Sequence, residues 1–314
     1  MALAPEVRAI RGSTIGPDGL LYVSLEKAND RFEVVVVDPV GGVAVRRVDA
    51  VGGGRVAFVD GSLWVGEFAT DVYSGSGTCS VSRLEPTTLA LLATIPTSCD
   101  STGTQFAALG DAVWFVDRTT ANVDGIGGRL RRIDPATDSV GTSVELPFVN
   151  GFLQASDGAI FWGDQGQDRY RLRDGETEFE SIGPASMTMS FPSGEGVWSQ
   201  TDGVVRLVTA AGATEREIAL AGTLVGVDES AVYTDLPDTF DSTATLWRYG
   251  RDGGTPTAFA LGTTVRTAVG DIRLGYADAD PFLVAPGQAI KLWLLPRGPD
   301  PALRDLIMQV VPLP

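Results

Sequence analysis

Histidine is absent from all 314 residues of this chain. That excludes Ser-His and Cys-His nucleophile systems, histidine general bases and every histidine-ligated metal site. A Gly-x-Ser-x-Gly elbow is missing too. Lysine occurs only at Lys27 and Lys291 while arginine is plentiful, which we read as a coding preference. No run of about 18 apolar residues occurs, so no membrane-spanning helix is predicted. The opening MALAPEVRAI has neither the basic nor the long apolar region of a signal peptide, an absence that says little about location. Glycine-rich VGGGRV (Val51–Val56) links two predicted strands and opens no helix, so it is a linker and no phosphate cradle.

Positive charge is also scarce. A net charge of −16 argues against a nucleic-acid partner, because phosphate binding needs a basic patch to release counterions. It argues equally against anionic membrane surfaces, and leaves a solvated acidic surface or an attraction for cations and basic partners.

What the chain does have is one phrase, repeated. It reads PDGLLYVSLE (Pro17–Glu26), DGSLWVGE (Asp60–Glu67), GDAVWFVDR (Gly110–Arg118), DGAIFWGDQ (Asp157–Gln165), GEGVWSQT (Gly194–Thr201), DESAVYTDL (Asp228–Leu236) and GDIRLGYAD (Gly270–Asp278). Its anchors are Tyr22, Trp64, Trp114, Phe161, Trp198, Tyr233 and Leu274, spaced roughly 35 to 50 residues apart as in four-stranded propeller blades. Asp-Gly and its relatives supply the positive φ angles of a two-residue hairpin turn. A strand precedes each turn, and a strand of aromatic and β-branched residues follows it. Third strands end alike in VVVVDP, VSRLEPTT and LRRIDPAT, where proline stops the strand. A fourth strand closes each unit.

The pattern predicts an all-β fold, a seven-bladed β-propeller of four-stranded antiparallel blades. It forms a single domain over 1–314, with blades near 11–51, 52–101, 102–149, 150–185, 186–221, 222–263 and 264–314. For the last blade, the interval from Asp278 to Pro296 equals that from Asp117 to Pro135. IKLWLLP (Ile290–Pro296) is then its third strand and LRDLIMQVV (Leu303–Val311) its fourth. Glu6–Ile10 either extends the first inner strand or lies against the last blade and locks the ring. Trp64, Trp114 and Trp198 are expected to fill gaps between blades.

The two cysteines, Cys79 and Cys99, fall at the start of the third strand and the end of the fourth strand of blade two. Antiparallel pairing would bring them together. A bond there would contribute about 3 kcal/mol in the chain-entropy model and would indicate an oxidising compartment. Two reduced, buried thiols are the alternative.

Carboxylates gather at the ends of second strands, at Glu26, Glu67, Asp117, Asp164 and Asp235. Oxygen ligands converging on a central opening suit Ca²⁺, so Glu67, Asp117, Asp164 and Asp235 are candidate metal ligands. The same residues equally cap loops or face water. Asp235–Ser242 and Asp278–Pro281 lack the glycine and terminal glutamate of an EF-hand loop. Arg55, Gln105 and Arg266 stand near the entrances of inner strands, where they would bind a small polar or anionic ligand or hold blades in register.

The Asp-Gly hairpin, the aromatic strand and the third strand ending in Asp-Pro-x-Thr resemble bacterial YVTN/NHL-type propellers, a style that includes virginiamycin B lyase-like and gluconolactonase-like proteins. The lyase-like enzymes rely on a catalytic histidine, which this chain lacks. The Glu-Gly-Pro-x-Trp metal segment of the gluconolactonase group is not found here. The resemblance therefore implies a secreted or periplasmic binding or scaffold module, a monomer, with no certain cofactor and Ca²⁺ as the candidate ion. A metal-dependent, lactonase-like hydrolase or lyase on the acidic face is the alternative. A surface adhesin using Phe68–Thr78 and Arg118–Gly128 is the third reading.

Overall fold

The computed structural model describes residues 3–27, 31–50, 54–66, 78–98, 105–117, 128–148, 151–156, 158–163, 168–184, 189–201, 203–212, 214–236, 245–260, 264–267, 270–273, 283–285, 288–296 and 304–313. No helix occurs among these residues, and none is long and apolar enough to cross a membrane.

Where apolar residues follow an Asp-Gly turn, two strands form. Asp60 and Gly61 both take positive φ, 46° and 69°, as the tight hairpin requires. The two strands they join are the first pair of a four-stranded unit. Blade one comprises β1 (Ala4–Ile15), β2 (Leu21–Lys27), β3 (Phe32–Asp38) and β4 (Val43–Ala50). Blade two comprises β5 (Val56–Val59), β6 (Ser62–Gly66), β7 (Thr78–Leu84) and β8 (Leu91–Ser98). Blade three is β9 (Phe106–Leu109), β10 (Ala112–Asp117), β11 (Arg129–Asp134) and β12 (Ser139–Glu145). Blade four is β13 (Phe152–Ser156), β14 (Ala159–Gly163), β15 (Asp168–Arg173) and β16 (Glu180–Pro184). Blade five is β17 (Met189–Ser193), β18 (Gly196–Thr201), β19 (Val204–Val208) and β20 (Thr214–Ala219). Blade six is β21 (Thr223–Val227), β22 (Ala231–Leu236), β23 (Thr245–Gly250) and β24 (Gly253–Ala260). Each is an antiparallel meander, and neighbouring first strands touch around the ring.

The turns after third strands explain the acidic-proline signature. Backbone amides of Val40 and Ala136 donate to Asp38 Oδ1 and Asp134 Oδ1, each at 2.9 Å. In blade two Glu85 takes this role, accepting from Thr87 N at 3.0 Å and from Thr88 Oγ1 at 2.7 Å. These side chains mimic a backbone turn, so the motif is architectural.

Among the described residues the propeller has six four-stranded blades, which corrects the expected seven. The segment read as a seventh blade does not make a four-stranded sheet. Its predicted inner pair, β25 (Thr264–Thr267) and β26 (Gly270–Arg273), stands alone as a two-stranded sheet. The remaining strands are β27 (Leu283–Ala285), β28 (Gln288–Pro296) and β29 (Arg304–Pro312). They continue across β1 to make one seven-stranded sheet with blade one. The reason is local: Ala285 pairs with Gln288 across a Pro-Gly connection, so β27 occupies the edge of β28 that the expected inner pair would have used. That dipeptide is a strong turn signal.

The N-terminal segment extends the first inner strand and also pairs with the C-terminal strands. From Val7 to Ile15, β1 pairs with β2, while Ala4 and Val7 pair with Leu306 and Arg304 of β29. Blade one packs against the C-terminal strands through Leu21, Val23, Leu25, Ile290, Leu292 and Leu306, all buried.

Packing between blades follows strand alternation. On β10, Val113 and Phe115 meet Trp64 and Val81 of blade two, whereas Trp114 and Val116 meet Ile160 and Trp162 of blade four. Trp64, Trp114 and Trp198 are buried between blades, as large rings on this repeated strand should be.

Candidate functional site at the ring centre

Polar side chains next to the innermost strands reach from blade to blade. Gln105 precedes β9 and is buried. Its Nε2 donates to Gly151 O at 3.1 Å, and its Oε1 accepts from Leu153 N at 3.2 Å. The amide thereby extends the backbone of blade four as a strand would. Gln200 on β18 repeats the arrangement between blades five and six, two boundaries further round. Its Nε2 donates to Gly222 O at 2.6 Å, and its Oε1 accepts from Leu224 N at 2.7 Å. Sequence reasoning quoted Gln200 within its repeat phrase without singling it out; a Gly-x-apolar step opening the following inner strand is the common signal.

Arg55, just before β5, reaches past blade three. Its Nη1 donates to Leu153 O at 3.2 Å, so one peptide segment of blade four receives both predicted binding residues. Arg55 makes no ion pair among the described residues and retains partial solvent contact. Loss of hydration lowers the pKa of its guanidinium from the ordinary arginine value. A cation with one neutral partner, facing the centre of the ring, favours anionic or strongly dipolar groups.

The other predicted residues fare differently. Asp117 is buried at the end of β10, where Oδ2 receives Arg131 Nη1 at 3.1 Å. Glu26, buried at the equivalent end of β2, receives Arg8 Nη1 at 3.1 Å and Arg11 Nε at 2.8 Å. These two carboxylates hold arginines. Glu67 and Asp164 lie outside the described residues, as do the side chains of Asp235 and Arg266. The backbone of Arg266 pairs with Asp271 within the two-stranded sheet. Among the described residues no group of three acidic or cysteine side chains stands where it could hold a metal.

Cys79 is buried at the start of β7, and the backbone there pairs Cys79 with Thr97. Cys99 lies outside the described residues, so the predicted bond is not among the described contacts. The adhesin loops fall almost entirely outside them as well.

No protein-family model matches this chain, and no curated protein does. Solved structures are similar to it. The propeller domain of the trilobed protease from Pyrococcus furiosus matches with a TM-score of 0.60 at 12% identity, over 98% of this chain and 97% of that one. Acylaminoacyl peptidase from Pyrococcus horikoshii matches with a TM-score of 0.59 at 11% identity, over 92% of this chain but only 49% of the peptidase. BamB from Moraxella catarrhalis matches with a TM-score of 0.51 at 12% identity, over 96% of this chain and 83% of BamB. At these identities the likeness shows the fold: the protein is a β-propeller.

Proposed function

We propose that this propeller is a binding module, with the centre of its ring as the recognition site for a small polar or anionic ligand. The observation that carries this is Arg55: a charged group at the inner end of blade two whose guanidinium, among the described residues, is bonded only to the Leu153 carbonyl, at 3.2 Å. Gln105 serves the site indirectly, by fixing the Gly151–Leu153 segment against which Arg55 is held. The absence of histidine and the engagement of Asp117 with Arg131 favour binding over acid–base catalysis. The reading extends to an oxidising, extracytoplasmic location, supported by the position of Cys79 opposite the end of β8.

Calorimetric titration with inorganic phosphate and with a panel of sugar acids tests it. Binding to the wild-type protein that is abolished in Arg55→Met, with unfolding temperature preserved, is the expected result. Equal binding by both proteins, or none by either, would overturn the reading.

A further inference from the structure

The residue two positions after the aromatic anchor of each second strand lies beside a third-strand residue that packs onto the next blade. Register makes the six positions comparable. Ser24 pairs with Val34, Gly66 with Val81, Val116 with Leu130, Gln200 with Val205 and Asp235 with Leu246. All five third-strand partners are apolar and fully buried. In blade four Trp162 pairs with Tyr170, which puts Arg169 beside Gly163. One blade of six therefore places an arginine where the fold uses valine or leucine, and buries it to 3% exposure.

The opposing surface has changed in step. Blades two, three and four present Val65, Phe115 and Trp162 to the preceding blade, whereas blade five presents Ser199. Blade six likewise presents the buried Thr234, but of these two hydroxyls only that of blade five meets an arginine among the described residues. Arg169 Nη2 donates to Ser199 Oγ at 2.8 Å, while the buried Arg169 Nε has no partner. No carboxylate makes an ion pair with Arg169 among the described residues; Asp168 accepts from Ser181 Oγ instead. Among the described residues the buried apolar cluster at this boundary comprises Ala159, Phe161 and Val197. Gly163 contributes no side chain beside the guanidinium. Burial lowers the pKa of Arg169 to about 10, the mark of a charge short of counter-charge.

A buried cation with no carboxylate partner among the described residues is costly, and a hydroxyl does not neutralise it. Nε–H and the Ser199 hydroxyl proton are two donors left for one acceptor, next to a full positive charge. We propose that the boundary between blades four and five holds a compact monovalent anion, a carboxylate or a halide, between Arg169 and Ser199. It is separate from the Arg55 site, which belongs to blade two.

The test is thermal unfolding at constant ionic strength in sodium formate, in sodium chloride and in a bulky-anion reference salt. The expected result is a saturable rise in the wild-type midpoint with formate or chloride that is absent in Arg169→Leu. The salt that acts identifies carboxylate or halide. Ser199→Ala, which keeps the cation, should raise the half-saturating concentration about tenfold, as the loss of one hydrogen bond to a charged ligand predicts. It serves if Arg169→Leu does not fold. Identical anion responses in wild type and variants, or no response in wild type, would overturn the proposal. Arg55→Met should leave the response intact, so failure here and failure at the ring centre are distinguishable.

Discussion

Gln105 and Leu153 belong to different blades, yet the side-chain amide of the first hydrogen-bonds the backbone amide of the second at 3.2 Å. With its second bond, to Gly151 O, Gln105 leaves no backbone group of that buried segment facing it unsatisfied. Gln105→Ala should therefore cost about 1–3 kcal/mol, the penalty for stranding buried polar partners. Gln105→Glu should cost more, since it turns the donor facing Gly151 O into an acceptor. Urea unfolding of the variants measures both. Gln200→Ala should behave alike at the boundary between blades five and six.

Ring closure depends on the contact between the chain ends. Leu306 is fully buried, pairs with Ala4 and Leu294, and lies in the cluster that joins blade one to the C-terminal strands. Leu306→Ala should destabilise by about 2–5 kcal/mol, as large-to-small core changes do. Hydrogen exchange should show protection lost first along β1 and β29. Uniform loss across all blades would show that closure is not a separable element.

Two of the six tyrosines should titrate abnormally. Tyr22 and Tyr233 are both pushed up to about 12, first by burial and then by donation to Asp18 and Asp228 at 2.9 and 2.6 Å. A raised folded pKa favours the protonated phenol in the native state. Their contribution is complete below pH 10 and is lost as pH climbs from 10 toward 12. Phenolate absorbance should show two tyrosines ionising about two units late. Tyr22→Phe should remove one of them.

The proposed Cys79–Cys99 bond would staple the β7–β8 hairpin. Mass measurement after alkylation without reduction should find both thiols blocked. Reduction should lower stability by about 3 kcal/mol, the loop-closure value. Two alkylated thiols would remove this support for an extracytoplasmic location.

The blade unit was legible in the sequence because turn chemistry and alternation act within a few residues. Asp60-Gly61 dictates its hairpin, and Trp64, Trp114 and Trp198 announce the faces that bury them. The C-terminal strands were misassigned because pairing partners there depend on which edge is free. The pairing of Ala285 with Gln288 made β27 the neighbour of β28, and Gly270–Arg273 of the last phrase was left in a separate two-stranded sheet. The candidate site was legible in part. Arg55 and Gln105 were found at inner strand entrances, but their shared target on Leu153 required the ring to be closed. Arg169 escaped notice, because an arginine in DRYRLR looks solvent-facing until register sets it against Val34, Val81, Leu130, Val205 and Leu246.

By itself, then, the sequence determined the repeating four-stranded unit and the residues buried between units, since short-range turn geometry and period-two alternation encode both. The number of blades, the joining of the two chain ends and the partners of each buried charge were decided only in three dimensions. Those properties depend on which edges and faces remain unpaired once every blade has formed, and no local stretch of chain carries that information.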